Sequence, residues 1–476
     1  MLTMLKLSLK LVSIRKNIRI LRLQNKNTID MMQKLSSLLV AALLLLMGAC
    51  SNDVLDLSTD TTTNNTNAPR GFVSMDQAKA RLANIVNQLN SQTSDASQPF
   101  PAVTPSRLTG VALGADMKPL TRADDQTQAG CYLLRMDNDM FAIMSATDNR
   151  PELLAIGSGY PNFEDSTALV PNPGYWDPIV PMDTLPHVNE QRDSVFTKII
   201  KTEYEYLAEN LCPVKWGNKY PYNNRVRMLP TGNFNPITGE PMLAHAAVGC
   251  VAVACAQIML APNLRGGYYK EHTFDWDALA QCRYASSFSP ISSEVHQVAT
   301  LFEDLTNEEN INPSTWGLGV TWANPSNIIH TLEHFHFKNP GKGPYAFNLD
   351  TVKSELLQGY PLYFSAYGGV DSVKMLGGHA WVCHGLMKAK ITIGVYASHN
   401  ILEQPELIDQ KEETAWYLQM NWGWDSKGDG YYLAKFNDFL NNIKGPDVPE
   451  DGTSPTAGQN IYFPNTTGII YGFRFR

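Results

Sequence analysis

A run of twelve residues in the second half of the chain leaves the backbone little choice. Gly249 to Leu260 reads Gly-Cys-Val-Ala-Val-Ala-Cys-Ala-Gln-Ile-Met-Leu, nearly all small or apolar, and Pro262 follows. A run apolar on every face predicts a buried helix, and the proline ends it. Gly249 permits a sharp turn into that helix, which puts Cys250 in its first turn. There the unpaired N–H groups and the macrodipole stabilise a thiolate, the nucleophile that acyl transfer from a peptide bond needs. The same N–H groups can donate to the oxyanion of a tetrahedral intermediate. Gly-Cys before an apolar helix is also the pattern of a buried structural cysteine, and that is the reading given to Cys131, Cys212, Cys255, Cys282 and Cys383.

The rest of the chain supplies the surroundings. At 476 residues it suggests two or three units, and 43% hydrophobic against 18% charged residues allows a large core. Met75 to Leu89 carries a helical apolar face behind Ser74, with Gln77 at the capping-box spacing. Cys131–Arg135, Met140–Ser145 and Leu153–Ile156 read as a strand meander with a turn at Met136–Asp139. Residues 161–193, rich in Pro, Asp and Asn, read as a linker, and a helix is expected from Ser194 to about Asn210. Further helices are expected at Ser292–Leu305 and Asn327–Phe335. Strands follow at Pro361–Ala366, Ala380–His384, Ile391–Ala397, Trp416–Asn421, Tyr431–Lys435 and Ile469–Phe475. Helices first and strands later give an α+β unit, a helical side facing a sheet.

The N-terminus reads as an export signal: Lys34, the apolar run Leu38–Met47, then Gly48-Ala49-Cys50. The apolar run is short for a membrane span, which needs about 20 residues. Met31 or Met32 is the expected start. Net charge is −8, but eight Lys/Arg and one acid precede Cys50, so the remainder stands at −15. That acidic body disfavours nucleic acid as a partner. Thr61 to Asn67 is a polar tether. Six cysteines besides Cys50, none in a CxxC pair, do not form a disulfide-dense framework or a zinc site. Glu333-His334-Phe335-His336 and Cys383-His384 offer a metal-binding alternative, but without HExxH spacing. No metal or other cofactor is expected.

Two more segments bear on Cys250. Gly377-Gly378-His379-Ala380 places an imidazole at the edge of an apolar strand, with room beside it for a substrate backbone. Asn421-Trp422-Gly423-Trp424 follows another strand; an Asn amide can hold a histidine tautomer and a Trp can shield that bond. Cys, His and Asn in this order is the chain order of papain-like peptidases. The set more closely resembles the streptopain family of secreted bacterial cysteine peptidases. Trp216-Gly217-Asn218, Pro221-Tyr222-Asn223, Gly249-Cys250, Ala256-Gln257-Ile258-Met259, Phe274-Asp275-Trp276, Gly378-His379-Ala380, Asn421-Trp422-Gly423-Trp424 and Asp429-Gly430-Tyr431 carry the resemblance. It covers most of the chain from about residue 72, thinly between these anchors.

The resemblance implies a papain-like catalytic domain over 196–476, preceded at 72–195 by a small α+β inhibitory pro-domain and linker. A polar tether at 50–71 and a signal at 1–49 complete the expected order. It implies Cys250 as nucleophile, His379 as general base and acid, Asn421 as the orienting group, and Trp422, with Trp424 and Gly378, lining and shielding the cleft. The oxyanion would be met by the Cys250 backbone N–H and by Asn218, where the family has a Gln; Asn is one methylene shorter and reaches the oxyanion only if its loop moves in. A second departure is His384, where relatives usually have Asp. Gly-Ala-Cys resembles a lipobox, implying lipidation of Cys50 and a membrane-anchored, cell-envelope precursor, with Met47 where a Leu is usual. Cleavage of the pro-domain around 165–210 would release the mature enzyme. Protein or peptide substrates and the chain's own pro-domain are the expected partners. A surface lipoprotein that binds peptides without cutting them is the alternative.

Overall fold

The computed structural model describes residues 71–92, 100–114, 119–120, 128–160, 194–283, 292–367, 378–398, 405–436 and 468–475. Cys50 with its signal and tether, the stretch 161–193, Gly377 and the loop at 444–466 lie outside the described residues. All described residues belong to one compact unit, 67–476.

Helix α1, Met75–Ser91, begins at the expected capping box: Gln77 N–H donates to Ser74 Oγ and Ser74 N–H to Gln77 Oε1. Its buried face is Ala78, Leu82, Ile85, Val86 and Leu89. Strands β1 (Thr109–Leu113), β2 (Cys131–Arg135), β3 (Met140–Ser145) and β4 (Leu153–Ser158) pair antiparallel in sequence order. Asn138 and Asp139 take φ of 59° and 57°, which residues of this type tolerate in tight hairpin turns.

The helix expected from Ser194 is instead strand β5, Ser194–Ala208. Lys201, Glu203 and Glu205 alternate there with Thr202, Tyr204 and Tyr206, a period of two built from β-branched and aromatic residues. Its partner along most of its length is β12, Gly378–Ser398. That strand also merges the two shorter ones expected at 380–384 and 391–397. β5 straddles the domain boundary expected at 195/196.

Hairpin β6 (Met228–Phe234) and β7 (Pro241–His245) precedes helix α2, Cys250–Met259. The short pair β8 (Tyr268–Tyr269) and β9 (His272–Thr273) follows, then α3 (Trp276–Gln281), α4 (Ser293–Leu305) and α5 (Asn327–His334). After β10 (Asn339–Ala346), α6 (Leu349–Leu357) and β11 (Leu362–Tyr367) come β12, β13 (Glu406–Asn421), β14 (Gly430–Phe436) and β15 (Gly468–Arg474).

The main sheet runs β1-β2-β3-β4-β14-β13-β12-β11-β15-β10, with β5 also on β12. Alternation sends Tyr132 and Leu134 to a core shared with α1, Ile391 and Tyr417, and sends Cys131 and Leu133 to a second core with Phe364, Trp381 and Trp422. A third core surrounds α2 and takes in Ala380 and Val382 of β12. The α+β class holds: α3, α4 and α5 gather around α2, and α1 and α6 pack in the cores of the antiparallel sheet.

Candidate active site

Cys250 opens α2. Gly249, the residue before it, has φ 98° and ψ 138°, a conformation open in practice to glycine alone. A Cβ there would lie 3.2 Å from the Thr321 carbonyl oxygen. From Val251 to Met259 every residue of the helix is buried, so the core fixes its axis and the cysteine at its head is left half-buried. Burial pushes the Cys250 thiol up, and the backbone N–H groups of Ala380, Val251 and Cys250 itself pull the other way. Cys250 is a free thiol.

Cys250 packs against the core that includes Ala380, the residue after His379. His379 is the second residue of β12 and half-buried; Gly378 before it pairs with Tyr367. Its Nε2 lies 3.0 Å from the Trp422 carbonyl oxygen. A carbonyl only accepts, so the proton sits on Nε2 and the basic lone pair on Nδ1. The imidazole stacks with Trp424 at 4.6 Å and 28°, and more distantly with Trp381 and Trp422. Burial pulls the imidazole down to about 4, against the upward pull of the Trp422 carbonyl. Both directions favour an uncharged thiol and imidazole at neutral pH.

The orienting group is not the one expected. Asn421 is fully buried, and its amide serves the protein core: Oδ1 accepts from Gln257 Nε2 at 2.9 Å and from Gly423 N–H at 3.1 Å, and Nδ2 donates to the Val214 carbonyl at 2.6 Å. The next residue's backbone does the holding. β13 ends at Asn421 opposite Val382, Gly423 turns the chain with φ 71°, and the Trp422 carbonyl meets the imidazole. Asn421 therefore shapes the turn that holds His379. The Trp422 ring is buried at 1% exposure and stacks on Trp381 at 4.9 Å, while Trp424 is the ring nearest the imidazole.

Asn218 forms a strut. Its Oδ1 accepts from Gly249 N–H at 3.0 Å and its Nδ2 donates to the Gly423 carbonyl at 3.3 Å, tying the head of α2 to the tryptophan turn. One amide hydrogen stays uncommitted by these bonds. His384, the other departure, is wholly buried, and its burial pulls the imidazole well below the ordinary histidine range. Among the described residues no three His, Cys, Asp or Glu groups assemble a metal site.

Sequence reasoning missed Gln257 as the partner of Asn421. It also missed the buried pair Lys215–Asp429, whose carboxylate accepts from the Trp422 N–H. The one signal was the place of Gln257 and Asp429 inside segments quoted for other reasons; Lys215, directly before Trp216, lies in none of them.

A family model described as the Peptidase C10 family matches residues 216–432, the span that holds Asn218, Cys250, His379, Asn421 and Trp422. The match bears out the resemblance to the streptopain family read in the sequence. That places the C10 segment among cysteine-type peptidases. The thiol protease/hemagglutinin PrtT of Porphyromonas gingivalis is 23% identical over 348 residues, 64% of this chain and 33% of that protein. The chain thus spans about a third of that curated relative's length. A fragment of prointerpain A from Prevotella intermedia, at 20% identity and TM-score 0.37, covers 72% of this chain and 94% of its own. Active interpain A cysteine protease from the same organism, at 20% identity and TM-score 0.35, covers 56% and 95%.

Proposed function

We propose that this chain is a cysteine endopeptidase made as an exported zymogen, with Cys250 as nucleophile and His379 as base. The observation that carries the reading is Cys250 at the head of α2, packed against the core that takes in Ala380, the residue after His379, whose Nε2 is committed to the Trp422 carbonyl. Nδ1 is then the lone pair that removes the thiol proton. The sulfur attacks the substrate carbonyl carbon, and the oxyanion is met by the Cys250 N–H and by the second amide hydrogen of Asn218. The imidazolium returns its proton to the leaving amine, and water admitted with the same base hydrolyses the thioester. Burial disfavours the charged pair in the uncut chain, and substrate entry or loss of the pro-segment shifts the balance toward thiolate and imidazolium by changing the surroundings of His379.

Residues 72–195 are the inhibitory pro-segment in this reading, with a cut around 165–210. The pairing of β4 with β14, directly after the tryptophan turn, supports it. Cys50 carries the lipid that holds the precursor at the cell envelope, and the mature enzyme is released; protein and peptide substrates follow from the chemistry.

The uncharged pair also suits a surface lipoprotein that captures peptides without cutting them. Residues 51–476, as wild type and as Cys250→Ala, separate the two. A peptidase converts itself to a shorter form only in the wild type and takes up one equivalent of iodoacetamide at Cys250; a binder stays intact in both and labels without selectivity.

A further inference from the structure

We propose that Asp429, held by Lys215, is a positioning residue that sets the base and the oxyanion amide together through the Trp422–Gly423 turn; the inference rests on the peptidase reading above. Asp429 is 3% exposed, eight residues beyond Asn421 on the descending side of the turn. Its Oδ1 accepts from the Trp422 N–H at 2.8 Å, and its Oδ2 lies 3.1 Å from Lys215 Nζ. The Trp422 carbonyl then accepts from His379, and the next carbonyl along, that of Gly423, accepts from Asn218 Nδ2. Two consecutive carbonyls of one turn thus fix the two groups that must act on opposite sides of a reacting carbonyl carbon. On the Asn421 side the turn is pinned by Gly423 N–H on Asn421 Oδ1; on the far side Asp429 holds it.

A carboxylate this deep is unfavourable unless paired, and breaking such a pair leaves an uncompensated charge. Burial pushes the Asp429 carboxyl up, while Lys215 and the Trp422 N–H pull it down. Lys215 follows Val214, whose carbonyl receives Asn421 Nδ2, so the two anchors of the turn come from adjacent residues of one segment. The hydrogen bond from Asp429 reaches the Trp422–Gly423 turn, and the two carbonyls of that turn reach His379 and Asn218.

The test uses the full chain as wild type, Asp429→Asn and Lys215→Met. Hydrolysis of fluorescein-labelled casein is fitted for kcat and KM, and alkylation of Cys250 by iodoacetamide is followed by mass spectrometry from acid to neutral pH. Asp429→Asn keeps an oxygen for the Trp422 N–H and loses the charge on Lys215. The expected result is kcat lower by about 10²-fold with KM nearly unchanged, the cost of a displaced catalytic group, and an alkylation–pH profile moved from that of the wild type. Lys215→Met moves both in the same direction. Wild-type kcat and a wild-type profile in folded Asp429→Asn overturn the inference. Should that variant not fold, the same result in Lys215→Met overturns it. An active wild type with unaffected variants removes the inference and leaves the peptidase reading. A wild type that neither cuts casein nor labels selectively at Cys250 removes both.

Discussion

His379 is held uncharged by its surroundings. Its ordinary value is 6.5, and burial among tryptophans lowers it to about 4 in the folded chain. The unfolded chain therefore binds a proton that the folded chain refuses between those values. The stability this group contributes is fully present above about 6.5 and is lost as pH falls toward about 4. Urea midpoints of wild type and His379→Gln, followed across that range, should show a steeper decline on the acid side for the wild type. Parallel curves would remove the histidine from the account. Cys250 and His379 could be singled out in the sequence because each stands beside a glycine. The orienting group was not: a main-chain carbonyl has no letter, so its role fell to Asn421, the polar side chain next to it. Chain order identified the right turn and the wrong atom.

At the scale of elements, α2 was readable because an apolar run with no polar face has one solution, and because Gly249 marks where it begins. Gly249→Ala should destabilise the fold by about 1–3 kcal/mol, the usual cost of forcing a side chain into such a conformation. Equilibrium urea unfolding measures this, and an unchanged midpoint would mean the head of α2 relaxes freely. The meander β1–β4 showed itself through turns and short apolar runs. β5 did not, because Ile199, Ile200 and Leu207 fit a helical spacing as well as a strand, and what decides is its long partner β12. Pairing between residues nearly two hundred positions apart leaves no mark in either segment alone. The same holds for β12, read as two strands because Gly385 and Lys388–Lys390 interrupt its apolar pattern, although bulges after Cys383 and Val395 let it run through.

For the whole molecule, the notable join is β4 on β14. Gly157 faces Gly430 there, and a Cβ on Gly157 would come within 2.5 Å of the Asp429 carbonyl oxygen. Beyond the ladder, Ser158 N–H donates to that same carbonyl and Gly428 N–H to the Ser158 carbonyl. Gly157→Val should therefore unseat the N-terminal strands at the join, and in the reading of 72–195 as an inhibitory segment it should speed iodoacetamide labelling of Cys250 in the uncut chain. Labelling at the wild-type rate, with the strand pairing shown to be lost by hydrogen exchange, would separate inhibition from this contact.

Such a join behaves like stitched cloth. A cut before Ser194 leaves the seam described above in place, since the N-terminal strands remain laced to β14 and buried on both sides. Liberation in that case is a second event, slower than the cut and hastened by whatever digests the detached piece.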